Sequence, residues 1–111
     1  MKISFHDNAL SLRGTTVAIY DWAYWTRHYL GLDPIIMYNN KNKFNDVGVI
    51  EKFSKEFSVF SYNDKSEIDK ILSENKCDAF LMEKGGKPDG IMSTVAKNLV
   101  NAISVCSVSD I

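Results

Sequence analysis

Four short β-rich runs, Lys2 to His6, Asp33 to Tyr38, Ser58 to Tyr62 and Cys77 to Met82, are separated by three stretches with helical patterning. This alternation constrains the chain more than any other feature. With connections so short, successive strands run parallel and are joined by right-handed crossovers. The expected fold is α/β, a Rossmann-like three-layer unit with a mostly parallel four- to five-stranded sheet. The first run suits an interior strand. The second is continuously apolar rather than alternating, as in a strand covered on both faces. At 111 residues the sequence makes a single domain, 1–111, without repeats, low-complexity tracts or linkers.

Between the strands, Thr15 to about Leu30 is expected to be a helix, with Thr15 or Thr16 as N-cap and Gly31 as the stop. Val49, Ile50, Phe53 and Phe57 recur at helical spacing. Ser66 to Asn75 opens with a capping serine and sets Ile68, Ile71 and Leu72 on one face. The last segment reads two ways. Met92, Val95, Ala96, Leu99, Val100 and Ile103 fit a helix, while Ala102 to Val108 favours a strand by residue type. The expectation is a helical turn at Met92 to Lys97 and a fifth strand after it.

Formal net charge is only -1, and Lys41, Lys43, Lys52 and Lys55 are interrupted by Asp46, Glu51 and Glu56. No nucleic-acid partner is expected. No apolar run reaches the ~20 residues that cross a bilayer, and the start lacks the apolar stretch of a signal peptide, so the chain reads as cytoplasmic with no transmembrane segment. Cys77 and Cys106 match no metal or CxxC spacing and are expected to be reduced core thiols.

In parallel sheets, ligands bind outside the carboxyl ends of the strands. The strands here exit on His6-Asp7-Asn8, Tyr38-Asn39-Asn40, Tyr62-Asn63-Asp64 and Glu83-Lys84-Gly85-Gly86. Asn and Asp also favour turns for backbone reasons, the plainer account of the second and third exits. The first exit has the best mechanistic case. Gly14 permits a tight turn, and the amides opening the next helix favour an anion such as phosphate, with Thr15 and Thr16 as hydroxyl donors. The dinucleotide fingerprint and the phosphate loop of nucleoside triphosphatases are both lacking, which sets those classes aside.

His6 has the intrinsic pKa of a general base. It alternates with Asp7 along a strand, so the two form no obvious dyad, and a hydrogen-bonded structural histidine is the simpler reading. His28 suits a helix C-terminus. Asp7, Asp64 and Asp89 have no cation-binding spacing, so no metal is expected. Tyr20, Trp22, Tyr24, Trp25 and Tyr29 surround one helix. Core packing accounts for at least half of them, and Tyr24 or Trp25, where exposed, is the first candidate for contact with another domain.

Phe5 to Asp21, Cys77 to Gly90 and Lys97 to Ala102 resemble, in order and separation, a group of nucleotide-sugar glycosyltransferases with the GT-B fold, found among microbial and large-virus sequences. The opening block is the specific part. The resemblance implies the N-terminal, acceptor-side domain of an enzyme that moves a sugar from a nucleoside-diphosphate sugar to a hydroxyl acceptor, without a further cofactor. It implies that Arg13, Gly14 and Thr15 approach the donor diphosphate and sugar, and that Lys84, Gly85, Gly86 and the loop to Gly90 line the acceptor side. This chain has Asn101 where related sequences carry a histidine, and it lacks the donor-binding domain. Alone it is expected to form an incomplete site, as a fragment, a truncated reading frame or half of a split enzyme needing a second domain or partner chain. The competing expectations are a non-catalytic interaction module and a small nucleotide-binding domain of flavodoxin-like type.

Overall fold

The computed structural model describes residues 1–83 and 90–101. Its elements are β1 (Lys2–Asp7), α1 (Gly14–Leu30), β2 (Asp33–Asn39), α2 (Val47–Glu56), β3 (Ser58–Tyr62), α3 (Glu67–Glu74), β4 (Ala79–Glu83) and β5 (Lys97–Asn101). All five strands are parallel, in the order β3-β2-β1-β4-β5. The expected Rossmann-like α/β architecture is therefore the observed one, with β1 at the centre. The order differs from the 2-1-3-4-5 of flavodoxin-type sheets.

Topology fixes the layers. From β1 to β3 the strands advance in one direction, and right-handed crossovers keep α1 and α2 on one face. The step from β3 back across β1 to β4 reverses direction and puts α3 on the other. On the first face, Ile19 and Ala23 of α1, Phe53 of α2 and Phe57 just after it pack on Ile3, Phe5, Ile36 and Tyr38. Tyr20 meets Phe53 and Phe57 edge-on, at 5.1 and 5.3 Å between ring centroids. On the second face, Ile68 and Leu72 of α3 cover Ile35, Met37, Tyr62, Phe80 and Met82. Burial on both sides explains why β2 is continuously apolar. Cys77 is a buried free thiol whose pKa burial pushes up; Cys106 lies outside the described residues.

Helix termini depart from expectation in two places. Neither Thr15 nor Thr16 caps α1; the N-cap is Arg13, without a side-chain capping bond. The Thr16 hydroxyl is drawn inward to a buried partner, which leaves it unable to cap. Ser66 likewise makes no side-chain cap to α3. Carboxylates take that role: Asp64 accepts from Ser66 N at 2.9 Å, and Glu67 reaches back to Asp64 N at 2.7 Å and Asn63 N at 3.1 Å. Gly31 closes α1 as expected, at φ 67°.

The tail of the sheet is also corrected. Residues 91–96 form no helix; Ser93 Oγ accepts from Val95 N and Ala96 N, and the Asn98 side-chain amide bonds both to Ser93 N and to Ser93 O. These bonds begin a helical turn and end it at once, so β5 starts at Lys97, earlier than its residue types suggest. The strand-like run 102–108 lies outside the described residues.

Candidate functional site at the carboxyl edge

The direction of winding reverses between β1 and β4, and in doubly wound sheets that switch point is where ligands bind. The loop from β1 to α1 crosses it. Its first half is locked down: Ala9, Leu10 and Ser11 are buried. Asn45 is a clamp, accepting from Leu10 N at 3.0 Å while donating to Asn39 O at 2.9 Å. Asp46, which caps α2 through Val49 N, donates its own amide to Leu10 O at 2.8 Å.

Asp7 and His6 point to opposite faces, as strand alternation requires. Asp7 is buried on the first face, where it accepts from Thr16 Oγ1 at 2.7 Å and Ala9 N at 3.4 Å. Burial pushes its carboxyl pKa up, against the opposing pull of Thr16, Ala9 and Arg13. His6 is buried on the second face, with Nε2 2.7 Å from the Tyr62 hydroxyl and its ring edge-on to Phe80 at 5.6 Å. That is the structural histidine of the simpler reading. Ser4, on the same face, is fully buried, and its hydroxyl has no hydrogen-bond partner among the described residues.

The second half of the loop opens outward. Asn8, Arg13, Gly14 and Thr15 are exposed. Arg13 Nε donates to Ser11 Oγ at 3.0 Å, and its guanidinium lies 5.9 Å from the centre of the Phe44 ring. Thr16 N bonds Arg13 O at 3.2 Å, leaving the Gly14 and Thr15 amides as the helix donors without an intrahelical acceptor. Gly14 makes no strained turn, since the described glycines with positive φ are Gly31 and Gly90. A Cβ at Gly14 would meet nothing within 4 Å. What this glycine provides is open space before two amides and a cation.

The structure thus gathers Asp7, Asn8, Arg13, Gly14, Thr15 and Thr16 at one edge and separates His6 from them. Lys84, Gly85 and Gly86 lie outside the described residues. The second and third exits do turn work: Asn40 Nδ2 donates to Asn63 Oδ1, and Asn39 Oδ1 accepts from Lys41 N. Sequence reasoning missed Ser11, Asn45 and Tyr62, whose roles depend on loops and strands brought together in space. Among the described residues no cluster of three His, Cys, Asp or Glu side chains could hold a metal, and no helix is long and apolar enough to cross a membrane.

No family model, no curated protein and no solved structure matches the chain.

Proposed function

We propose that the domain is the acceptor-side half of a glycosyltransferase acting on nucleoside-diphosphate sugars, and that it meets the donor's diphosphate at the loop from β1 to α1. The observation that supports this reading is the exposed Arg13-Gly14-Thr15 start of α1 at the sheet's switch point, with the buried Asp7–Thr16 bond fixing it from below. Its chemistry is positioning and charge stabilisation. As the bond from the sugar's anomeric carbon to the diphosphate breaks and a hydroxyl acceptor attacks, negative charge grows on the leaving group, where the amides and the guanidinium stabilise it. Asp7 and Thr16 are positioning residues. Lys84, Gly85 and Gly86 serve the acceptor side, and a second α/β domain or partner chain supplies the rest of the donor site.

The test is calorimetric titration with UDP, GDP and FMN, on the wild type and on Arg13→Ala/Thr15→Ala. Saturable UDP or GDP binding, lost in the double variant at an unchanged unfolding midpoint, is expected. Saturable FMN binding instead would overturn the reading. The exposed aromatic rings of α1 favour a second reading, a non-catalytic interaction module, which predicts no nucleotide binding at all.

A further inference from the structure

The outward faces of the three helices differ. α2 exposes Glu51, Lys52, Ser54 and Lys55, with Val47 its exposed large apolar side chain, in the first turn, and α3 exposes Lys70, Ser73 and Glu74. α1, whose inward side buries Thr16, Ile19 and Ala23, presents Val17 at 55%, Tyr24 at 40% and Trp25 at 54% exposure, with Tyr29 and Leu30 more exposed still. Apolar side chains thus reach from the inward side of α1 onto its outer face, where a surface helix is ordinarily polar, and such a face is one that something covers. Beside it lies a groove of about 420 Å³. Trp22, Trp25 and Tyr29 of α1 form one wall, and Phe5 and Leu81 of the sheet form the floor. Over β4 and β5 this face of the sheet carries no helix among the described residues, although parallel sheets are ordinarily covered on both faces.

The placement of a hydrogen-bond acceptor and a donor on the outer face of α1 points to the occupant. Asp21 and His28 are both exposed and stand two helical turns apart, symmetrically about Tyr24 and Trp25. An antiparallel copy of the helix centred between those two rings sets Asp21 of each chain against His28 of the other. Such self-complementarity is what a two-fold interface requires, and a surface built for a different protein has no need of it. The Trp25–Tyr29 rings, 4.3 Å apart, are already stacked as a flat surface, and the Tyr24 and His28 rings beside them sit tilted at 4.1 Å. A stable interface takes roughly 800 Å² from each partner. Against a total surface of 6689 Å², a helix face with five exposed large apolar side chains, Val17, Tyr24, Trp25, Tyr29 and Leu30, is of that order. We infer that α1 pairs with α1 of a second copy of this chain, antiparallel about Tyr24 and Trp25, with aromatic rings of each copy seated in the other's groove.

Sedimentation velocity over a dilution series tests this on the full chain, with circular dichroism and the unfolding midpoint as checks on folding. A dimer is expected, with Trp25→Glu raising its dissociation constant by at least about tenfold. Tyr29→Lys, at a more exposed position, gives the same result should Trp25→Glu fail to fold. His28→Asp sets two carboxylates against each other and Asp21→Lys takes away the acceptor that faces His28, so each weakens the dimer, and combining them in one chain restores it as an ion pair. A wild type that stays monomeric overturns the proposal, including one whose Trp25 is shielded from solvent quenchers by the chain's own residues 102–111. So does a dimer indifferent to both aromatic substitutions, or single charge changes that the combination does not rescue.

Discussion

Thr16 Oγ1 stands 2.7 Å from Asp7 Oδ2, so the last residue of the central strand and the first turn of the helix that follows it share a buried hydrogen bond. The same hydroxyl lies 3.1 Å from Ala9 O and accepts from Ser11 N at 3.3 Å. One small side chain thereby fixes both the start of α1 and the path of the loop before it.

Thr16→Val, which keeps the shape and removes the hydroxyl, is expected to destabilise the domain by about 1–3 kcal/mol, because it strands a buried carboxylate. Thr16→Ser should recover most of the loss. Urea unfolding of the three proteins measures both effects, and equal stabilities would mean that the bond contributes nothing.

Burial raises the Asp7 pKa above the 3.8 of an unfolded chain, so the fold prefers the protonated form. Between the two values the unfolded chain has released a proton that the native state still holds, and stability falls as pH rises through that window. Asp7→Asn removes this dependence. The variant should gain on the wild type as pH rises from 3.8 through the folded-state value, and a stability difference independent of pH would contradict the account.

Asp69 behaves in the opposite sense. Partial burial raises its pKa, but the bonds it accepts from Thr94 and Ser93 outweigh that and leave it lowered. The stability it contributes is present above the unfolded value of 3.8 and is lost as pH falls through the lower folded value. Because Asp69 ties Ser93 and Thr94 to α3, acid should release the 91–96 segment first. Asp69→Ala should do so at neutral pH, at a cost of about 1 kcal/mol. Hydrogen exchange at Thr94 N reports it, and unchanged protection there would refute it.

The glycines at the two ends of α1 should respond differently to alanine. Gly31 sits at φ 67°, so Gly31→Ala is expected to cost about 1 kcal/mol. Gly14 has neither a positive φ nor a neighbour for the added methyl, so Gly14→Ala should be neutral or stabilise by up to about 1 kcal/mol. If the amides there hold a phosphate, the same substitution weakens nucleotide binding while the unfolding midpoint stays level or rises. Intact binding would show that the ligand does not approach this glycine.

The fold was legible because its signals are local and repeated: apolar β-rich runs, helical spacing and the Gly31 stop each need only a few neighbouring residues. The elements that misled were decided by distant partners. Thr16 looks like a cap until Asp7 is seen beneath it, and the apolar spacing from Met92 to Val100 looks helical until Asn98 closes on Ser93. At the site, alternation sufficed to separate His6 from Asp7. The pairing of His6 with Tyr62, 56 residues away, and the clamp at Asn45 arise only when three strands lie side by side.

The central position of β1 bears on how the protein is made. Lys2 N bonds Asp78 Oδ2, 76 residues away, and Asp78 N returns to Lys2 O at 2.8 Å. On a ribosome, β1 can pair with β2 soon after both emerge, but its other edge waits until β4 has been synthesised. During that interval an apolar strand edge is open to other nascent chains. The yield of folded protein should therefore depend on how quickly translation runs from β2 to β4, and on whether a chaperone shields that edge in the meantime.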